Sequence, residues 1–423
     1  MPMTSPPQPN SGEGALVARE RSEGLLTALR LALGPAVALG LGRFAYALLL
    51  PSMRADLHWS FATAGALNTA NAIGYLGGAL LAGATARRYG ARRAFIAGLG
   101  VTVAALAATG ATGNVPLLAV LRAITGVSGA ISFVTGAGLV AEAASARSGG
   151  WAASLLGIYF AGGGAGIVAS GLAIPALLAA TPAADGWRWG WLLLAGLGAL
   201  ALGVATPAAW ASREPPLPAA ADKRWPARRL AALLACYGLF GAGYIAYMTF
   251  IVAFLNGRGA GPEEVTAFWV VLGSASMVGA VVWARPIARL RGGRGPSLAL
   301  ALVSAGALLP LVSRSPEAAI GSAMLFGGSF LAVATSITVV ARRSLRSHHW
   351  TPAIAALTVA FALGQCVGPV LAGVLSDAPA GLTLGLWISV GLLGAGALVA
   401  LGQRHHETPT GRVGGVVDSP AAL

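Results

Sequence analysis

Two arginines, Arg43 and Arg122, stand inside stretches that are otherwise apolar, LGLGRFAYALLLP at 39–51 and the run at 115–141. A cation at membrane depth costs roughly 2.5–3.5 kcal/mol on insertion scales, so it is kept for a partner or a task. Arg43 lies eight residues before Pro51, and Arg122 seven residues inside the start of its run. At about 1.5 Å per helical residue the two sit at similar depths, ~12 and ~10 Å. None of the fourteen acids falls in the middle of an apolar run; Glu142, Glu317 and Asp377 stand at run ends, and the others in loops or tails. An anionic solute would supply the missing counter-charge, because guanidinium holds carboxylate or phosphate through two hydrogen bonds. The alternative is structural, with each arginine resting on helix-end carbonyls, cavity water or a run-end acid.

Other polar or aromatic groups share those runs. Asn71 and Tyr75 are four residues apart and Asn68 one turn earlier, so all three occupy one helical face. They suit either a solute or hydrogen bonds between helices. Tyr46, Tyr244 and Tyr247 offer hydroxyls or rings, and Gln365 is the amide of its run. Trp187 and Trp189 open another run and read as interfacial belt residues.

Catalytic chemistry finds little support. Gly126-Val-Ser128-Gly129 matches a serine-protease pattern of membrane enzymes, but all five histidines lie in loops or the tail, leaving the serine no base. The glycines at 162–166 follow no strand, so they form no dinucleotide loop. Cys236 and Cys366 form no CxxC pair, and His348-His349 has no carboxylate or cysteine frame for a metal. No enzyme activity, cofactor or metal is expected.

The elements that must position these groups are membrane helices. The chain is 56% hydrophobic and only 10% charged, where a soluble protein carries about a quarter charged residues. Apolar runs fall near 29–51, 61–86, 94–113, 115–141, 151–180, 187–210, 230–256, 265–288, 297–314, 317–341, 352–377 and 381–402, twelve in all. With the N-terminus inside, seventeen Lys and Arg fall in inner loops and four in outer ones, which places both termini in the cytoplasm. The net charge of +14 is thus a topology signal and no basic groove for nucleic acid. Residues 1–24 read as a disordered cytoplasmic tail without signal-peptide layout. Residues 25–210 and 230–402 form two six-helix bundles, joined by a Pro-rich basic linker at 211–229 and followed by a tail at 403–423. The halves repeat: a shift of 201 residues lays Gly40 and Gly78 over Gly241 and Gly279, and a shift of 202 lays Gly162 and Gly166 over Gly364 and Gly368. Two such halves around a midplane site are a transporter architecture.

The loop Gly83-Ala-Thr-Ala-Arg87-Arg88-Tyr-Gly90-Ala-Arg92-Arg93 resembles the signature between the second and third spans of the major facilitator superfamily. The acid of that signature is replaced by Arg87. Leu121-Arg122-Ala-Ile-Thr-Gly126 is similar to the family's RxxxG pattern, whose arginine is associated with coupling, while the antiporter Gly-Pro motif of span five is missing. GLGRFAYALLLPSMRADLHWS (40–60), NTANAIGYLGGAL (68–80), YGLFGAGYIAYMTF (237–250) and GQCVGPVLAG (364–373) resemble the YbfB/YjiJ branch. The resemblance spans about 29–402 and implies an all-α polytopic membrane protein, twelve transmembrane helices in two pseudo-symmetric bundles. Spans one, four, seven and ten would line a central cavity, which puts Arg43 and Arg122 before the same space. It implies a gate at Arg87, Arg88, Gly90, Arg92 and Arg93, and alternating access without ATP.

The expectation is a secondary active transporter of the bacterial inner membrane moving a small organic solute, with an anionic one favoured. Its substrate would meet Arg43, Arg122, Tyr46, Asn71, Tyr244, Tyr247 and Gln365. Its partners would be that solute and the lipid bilayer, with protons as a candidate coupling ion and a monomer as the working unit. A multidrug/proton antiporter of the same fold and a non-transporting membrane sensor are the alternatives.

Overall fold

The computed structural model describes residues 22–145, 149–181, 184–216, 225–283, 286, 289–379 and 381–404. Most of the expected tails at 1–24 and 403–423, part of the linker, and Arg147 and Arg285 lie outside them. Among the described residues the regular structure is all helical, in the order α1 (Ser22–Leu57), α2 (Phe61–Tyr89), α3 (Ala91–Gly110), α4 (Val115–Ser145), α5 (Gly149–Ala180) and α6 (Gly186–Ala211). It continues with α7 (Ala231–Gly257), α8 (Pro262–Val282), α9 (Arg294–Val312), α10 (Pro316–Ser344), α11 (Trp350–Ser376) and α12 (Gly381–Leu401). Ten of these are long and apolar enough to cross a membrane. The other two, α2 and α8, carry Asn68 and Asn71 and a Glu263-Glu264 start respectively, and they pack among the ten.

The first span departs from its expected bounds. Pro51 lies inside α1, which runs on to Leu57. Arg43 is therefore fourteen residues from the helix end, or about 21 Å, deeper than Pro51 as a stop had implied. The segment Ala36–Phe44 is a π-helix, closed by an Ala45 N–H to Gly40 carbonyl bond of 2.9 Å. Such widened turns are rare and concentrate at functional sites, and Arg43 sits in the last turn of this one.

The repeat is visible in the packing. A Cβ added at Gly78 would overlap the Val127 carbonyl of α4, and one at Gly279 would overlap the Gly328 carbonyl of α10. Both partners of the pair are related by the same 201-residue shift. Likewise Gly162 and Gly166 of α5 meet the backbone of α1 at Ala32 and Ala36, as Gly364 and Gly368 of α11 meet α7 at Gly238 and Ala242. Lipid supplies no hydrophobic force between helices, so close backbone approach at small residues holds each bundle together.

The two bundles join at the middle of the helices and on the side away from the described chain ends. Gly65 of α2 meets the Pro369 carbonyl of α11, and Thr69 donates to the Cys366 carbonyl at 2.7 Å. Asn68 donates to Thr249 of α7 at 2.5 Å, and Trp269 of α8 to Ser170 of α5 at 3.3 Å. At the far end the Asp377 carboxylate accepts from the Phe61 and Ala62 N–H groups, at 2.7 and 2.9 Å. Those are free N–H groups at the start of α2, where the helix dipole favours an anion, so Asp377 latches the second bundle onto the first. Losing a cap of this kind costs about 0.5–2 kcal/mol, roughly 2- to 30-fold in an opening equilibrium. Asp377→Ala is expected to open this side more often, read as faster alkylation of Cys366 by a membrane-impermeant maleimide. An unchanged rate in vesicles would remove Asp377 from the latch.

Candidate functional site

Below these joints lies a cavity of ≈ 240 Å³ between the bundles, bounded by α1, α2, α4 and α5 on one side and α7, α8, α10 and α11 on the other. Arg43 reaches it from the end of the π-helical stretch. The residue is only 4% exposed, and its Nη2 donates to the Gln365 Oε1 of α11. The Gln365 amide in turn donates to the Tyr244 hydroxyl of α7 at 3.4 Å. The guanidinium stands 5.1 Å from the Tyr75 ring centroid, and its Nε finds no acceptor. A buried donor left unmade costs as much as a lost hydrogen bond or more, and more again when charged. Among the described residues around the cavity there is no acid.

Of the residues expected to meet a solute, Arg43, Tyr244 and Gln365 border this cavity together with Tyr75, and Arg122, Tyr46, Asn71 and Tyr247 do not. Arg122 is enclosed in the first bundle at 1% exposure, its Nη1 donating to the Gly42 carbonyl at 2.7 Å. Its guanidinium packs over the rings of Tyr46 at 4.7 Å and Trp191 at 5.6 Å. The two arginines thus do not share a space: Arg122 points into the first bundle's own interior, where the Gly42 carbonyl and two aromatic faces meet it and its Nε and Nη2 find no hydrogen-bond partner. Tyr46 donates to the Ala64 carbonyl at 2.9 Å, Asn71 to the Arg122 carbonyl at 3.0 Å, and Tyr247 shares a 2.5 Å bond with Ser322. Each ties two helices within its own bundle, Tyr46 and Asn71 in the first and Tyr247 in the second. Trp187 is also corrected, since it is fully buried and donates to Asp56 at 2.8 Å, while Trp189 remains exposed.

Sequence reasoning missed most of the cavity's rings. Nine of its eighteen bordering residues are aromatic, against 7% of the chain. Tyr237, Phe240 and Tyr244 stand at i, i+3 and i+7 on one face of α7, and Phe361 is one turn from Gln365 on α11. That spacing was the available signal.

The expected gate sits at the end of the molecule nearer the described chain ends. Gly90 links α2 to α3 with φ +85, a conformation that favours glycine. Glu214, just past α6, accepts from Ala91 N at 2.7 Å and Arg92 N at 3.3 Å, and lies 3.4 Å from Arg92 Nε. A carboxylate that the 83–93 loop lacks at Arg87 is thus brought to the same corner by the linker, and it was not singled out from the sequence. Arg87 and Arg88 close α2, and Arg93 borders a separate apolar crevice between α2, α3 and α4. Glu214→Ala should remove the α3 cap, costing about 1 kcal/mol and lowering Tm by roughly 2–4 °C. An unchanged melt would show that water replaces the cap at no cost.

Comparison with known proteins agrees with this architecture. Residues 35–401 match the family described as uncharacterised MFS-type transporter YbfB. No curated protein matches the sequence. Among solved structures, a point mutant of the nucleoside transporter NupG superposes with TM-score 0.69 at 13% identity, covering 89% of this chain and 98% of that one. A bacterial homolog of the human lysosomal transporter Spinster, inward-facing and unoccupied, gives 0.68 at 17% identity, with 91% and 97% covered. A D-xylose-proton symporter gives 0.65 at 13% identity, with 90% and 96% covered. At these identities the likeness is one of fold. The match over residues 35–401 is one of family, and by it the chain belongs to the YbfB-type transporters of the major facilitator superfamily.

Proposed function

We propose that this transporter moves a small organic anion across the bacterial inner membrane by alternating access, with Arg43 as the charge that holds the solute. The observation that carries this reading is a buried guanidinium whose Nε has no acceptor, beside a cavity with no acid among its described residues. An anion meeting it gains a charge-assisted hydrogen bond and relieves an unpaired buried donor in one step. A cation would meet repulsion instead, which weighs against the multidrug antiporter. So does the volume: ≈ 240 Å³ falls below the roughly 300–1,000 Å³ of sites for drug-sized ligands. With the basic loops inside, both termini are cytoplasmic. The joints at Gly65, Thr69 and Asp377 then close the outer side, and the cavity belongs to an inward-facing state.

The test is a thermal-shift screen of the purified full chain, setting small organic anions against matched neutral amides and amines. Flux of the best anion into proteoliposomes follows, with and without a pH gradient to find proton coupling. Stabilisation by anions and saturable flux are expected. Stabilisation by lipophilic cations alone would overturn the reading in favour of drug efflux, and binding without flux would favour a sensor.

A further inference from the structure

The rings around the cavity point further than a charge does. Tyr237, Phe240, Tyr244 and Phe361 are nearly parallel: Tyr237 and Phe361 stack at 4.6 Å and 15°, Phe240 and Tyr244 at 4.9 Å and 22°, Tyr244 and Phe361 at 5.6 Å and 12°. Phe330 continues the set, 6.1 Å and 9° from Tyr244. The rings stack on one another and also line the cavity, with Arg43 and Gln365 beside them. A membrane helix that needed only bulk there would be served by leucine or valine, which this chain uses freely in its exposed positions. Aromatic faces favour offset or edge-on rings at centroid distances of about 4.5–7 Å over aliphatic groups of the same area.

We propose that the solute is an aromatic carboxylate, its single ring against the α7–α11 rings and its carboxylate on the Arg43 guanidinium. The proposal rests on the organic-anion reading and adds the chemistry of the rest of the molecule. The ≈ 240 Å³ volume suits one ring with a short arm. Gln365, already donating to Tyr244 and accepting from Arg43, ties the anion end of the cavity to the ring end, so the two requirements fall on one ligand.

The probes are benzoate, cyclohexanecarboxylate of equal charge and similar size, neutral benzamide, and lactate as a small aliphatic anion. Each is titrated against the full chain in detergent by calorimetry and followed by flux in proteoliposomes. Benzoate should bind about tenfold tighter than cyclohexanecarboxylate, the sum of two or three ring contacts. Phe361→Leu should bring that ratio towards one. Phe330→Leu serves the same purpose if the first variant does not fold. Equal affinities for benzoate and cyclohexanecarboxylate, or binding of lactate but not benzoate, would overturn the aromatic class and leave the organic-anion reading standing. Binding of benzamide with no carboxylate binding would overturn both, and silence of all four probes would overturn this proposal.

Discussion

Arg43→Gln is expected to weaken anion binding by roughly 10- to 150-fold, while the empty protein melts no lower than the parent. A hydrogen bond to a charged group contributes about 1.5–3 kcal/mol, which is that range of affinity at ~1.4 kcal/mol per tenfold. The bare Coulomb attraction at ~4 Å and an effective dielectric of 20 is about 4 kcal/mol, part of which the solute loses on leaving water. The unliganded side of the prediction follows from the same burial. Arg43 is 4% exposed with an unpartnered Nε, deep in the membrane, so removing its charge relieves a desolvation cost. Arg43→Lys keeps the charge but loses the planar fork, and should fall between the parent and the glutamine variant. Arg122→Gln is the contrasting experiment. It gives up the Gly42 carbonyl bond and the faces of Tyr46 and Trp191 but also sheds a buried charge whose Nε and Nη2 have no partner. Because Arg122 does not border the cavity, the change should leave affinity nearly intact. If Arg122→Gln weakened binding as much as Arg43→Gln, the assignment of the solute to Arg43 would fail.

Gly65→Leu is expected to abolish flux while leaving a folded, monodisperse protein. A Cβ at Gly65 would overlap the Pro369 carbonyl of α11 and come within contact of its next peptide. The obstacle is backbone, which cannot rotate away as a side chain can, and it belongs to the other bundle. The helices must therefore stand apart on that side, and the closed arrangement of Gly65, Gly373 and Asp377 is lost. Each bundle keeps its own glycine contacts, such as Gly78 with Val127, so folding is spared. Gly77→Leu on the same helix is the control, since nothing lies within 4 Å of a Cβ there. Counterflow in proteoliposomes measures the effect, with size-exclusion chromatography as the check on folding. Normal flux in Gly65→Leu would show that this joint opens and closes without touching the transport cycle.

The sequence by itself determined the class, the twelve helices and the repeat. Those features are written in one dimension: apolar runs of membrane length, cations clustered between them, and glycines recurring at a near-constant offset. It also marked Arg43, Tyr244 and Gln365, because a polar group in an apolar run is conspicuous wherever it points. What it left open was direction around the helix axis. Arg43 and Arg122 have the same chemistry, yet one borders the cavity and the other lies against the Gly42 carbonyl and two rings inside its own bundle. The π-helical turn at Ala36–Phe44 decides part of this, since it shifts the register of every side chain beyond it, and no residue type announces it. Tertiary structure alone joined Asp377 to α2 and Glu214 to α3, partners 315 and 123 residues apart. A carboxylate finds a helix N-terminus through space, and spacing along the chain carries no trace of which one it will reach.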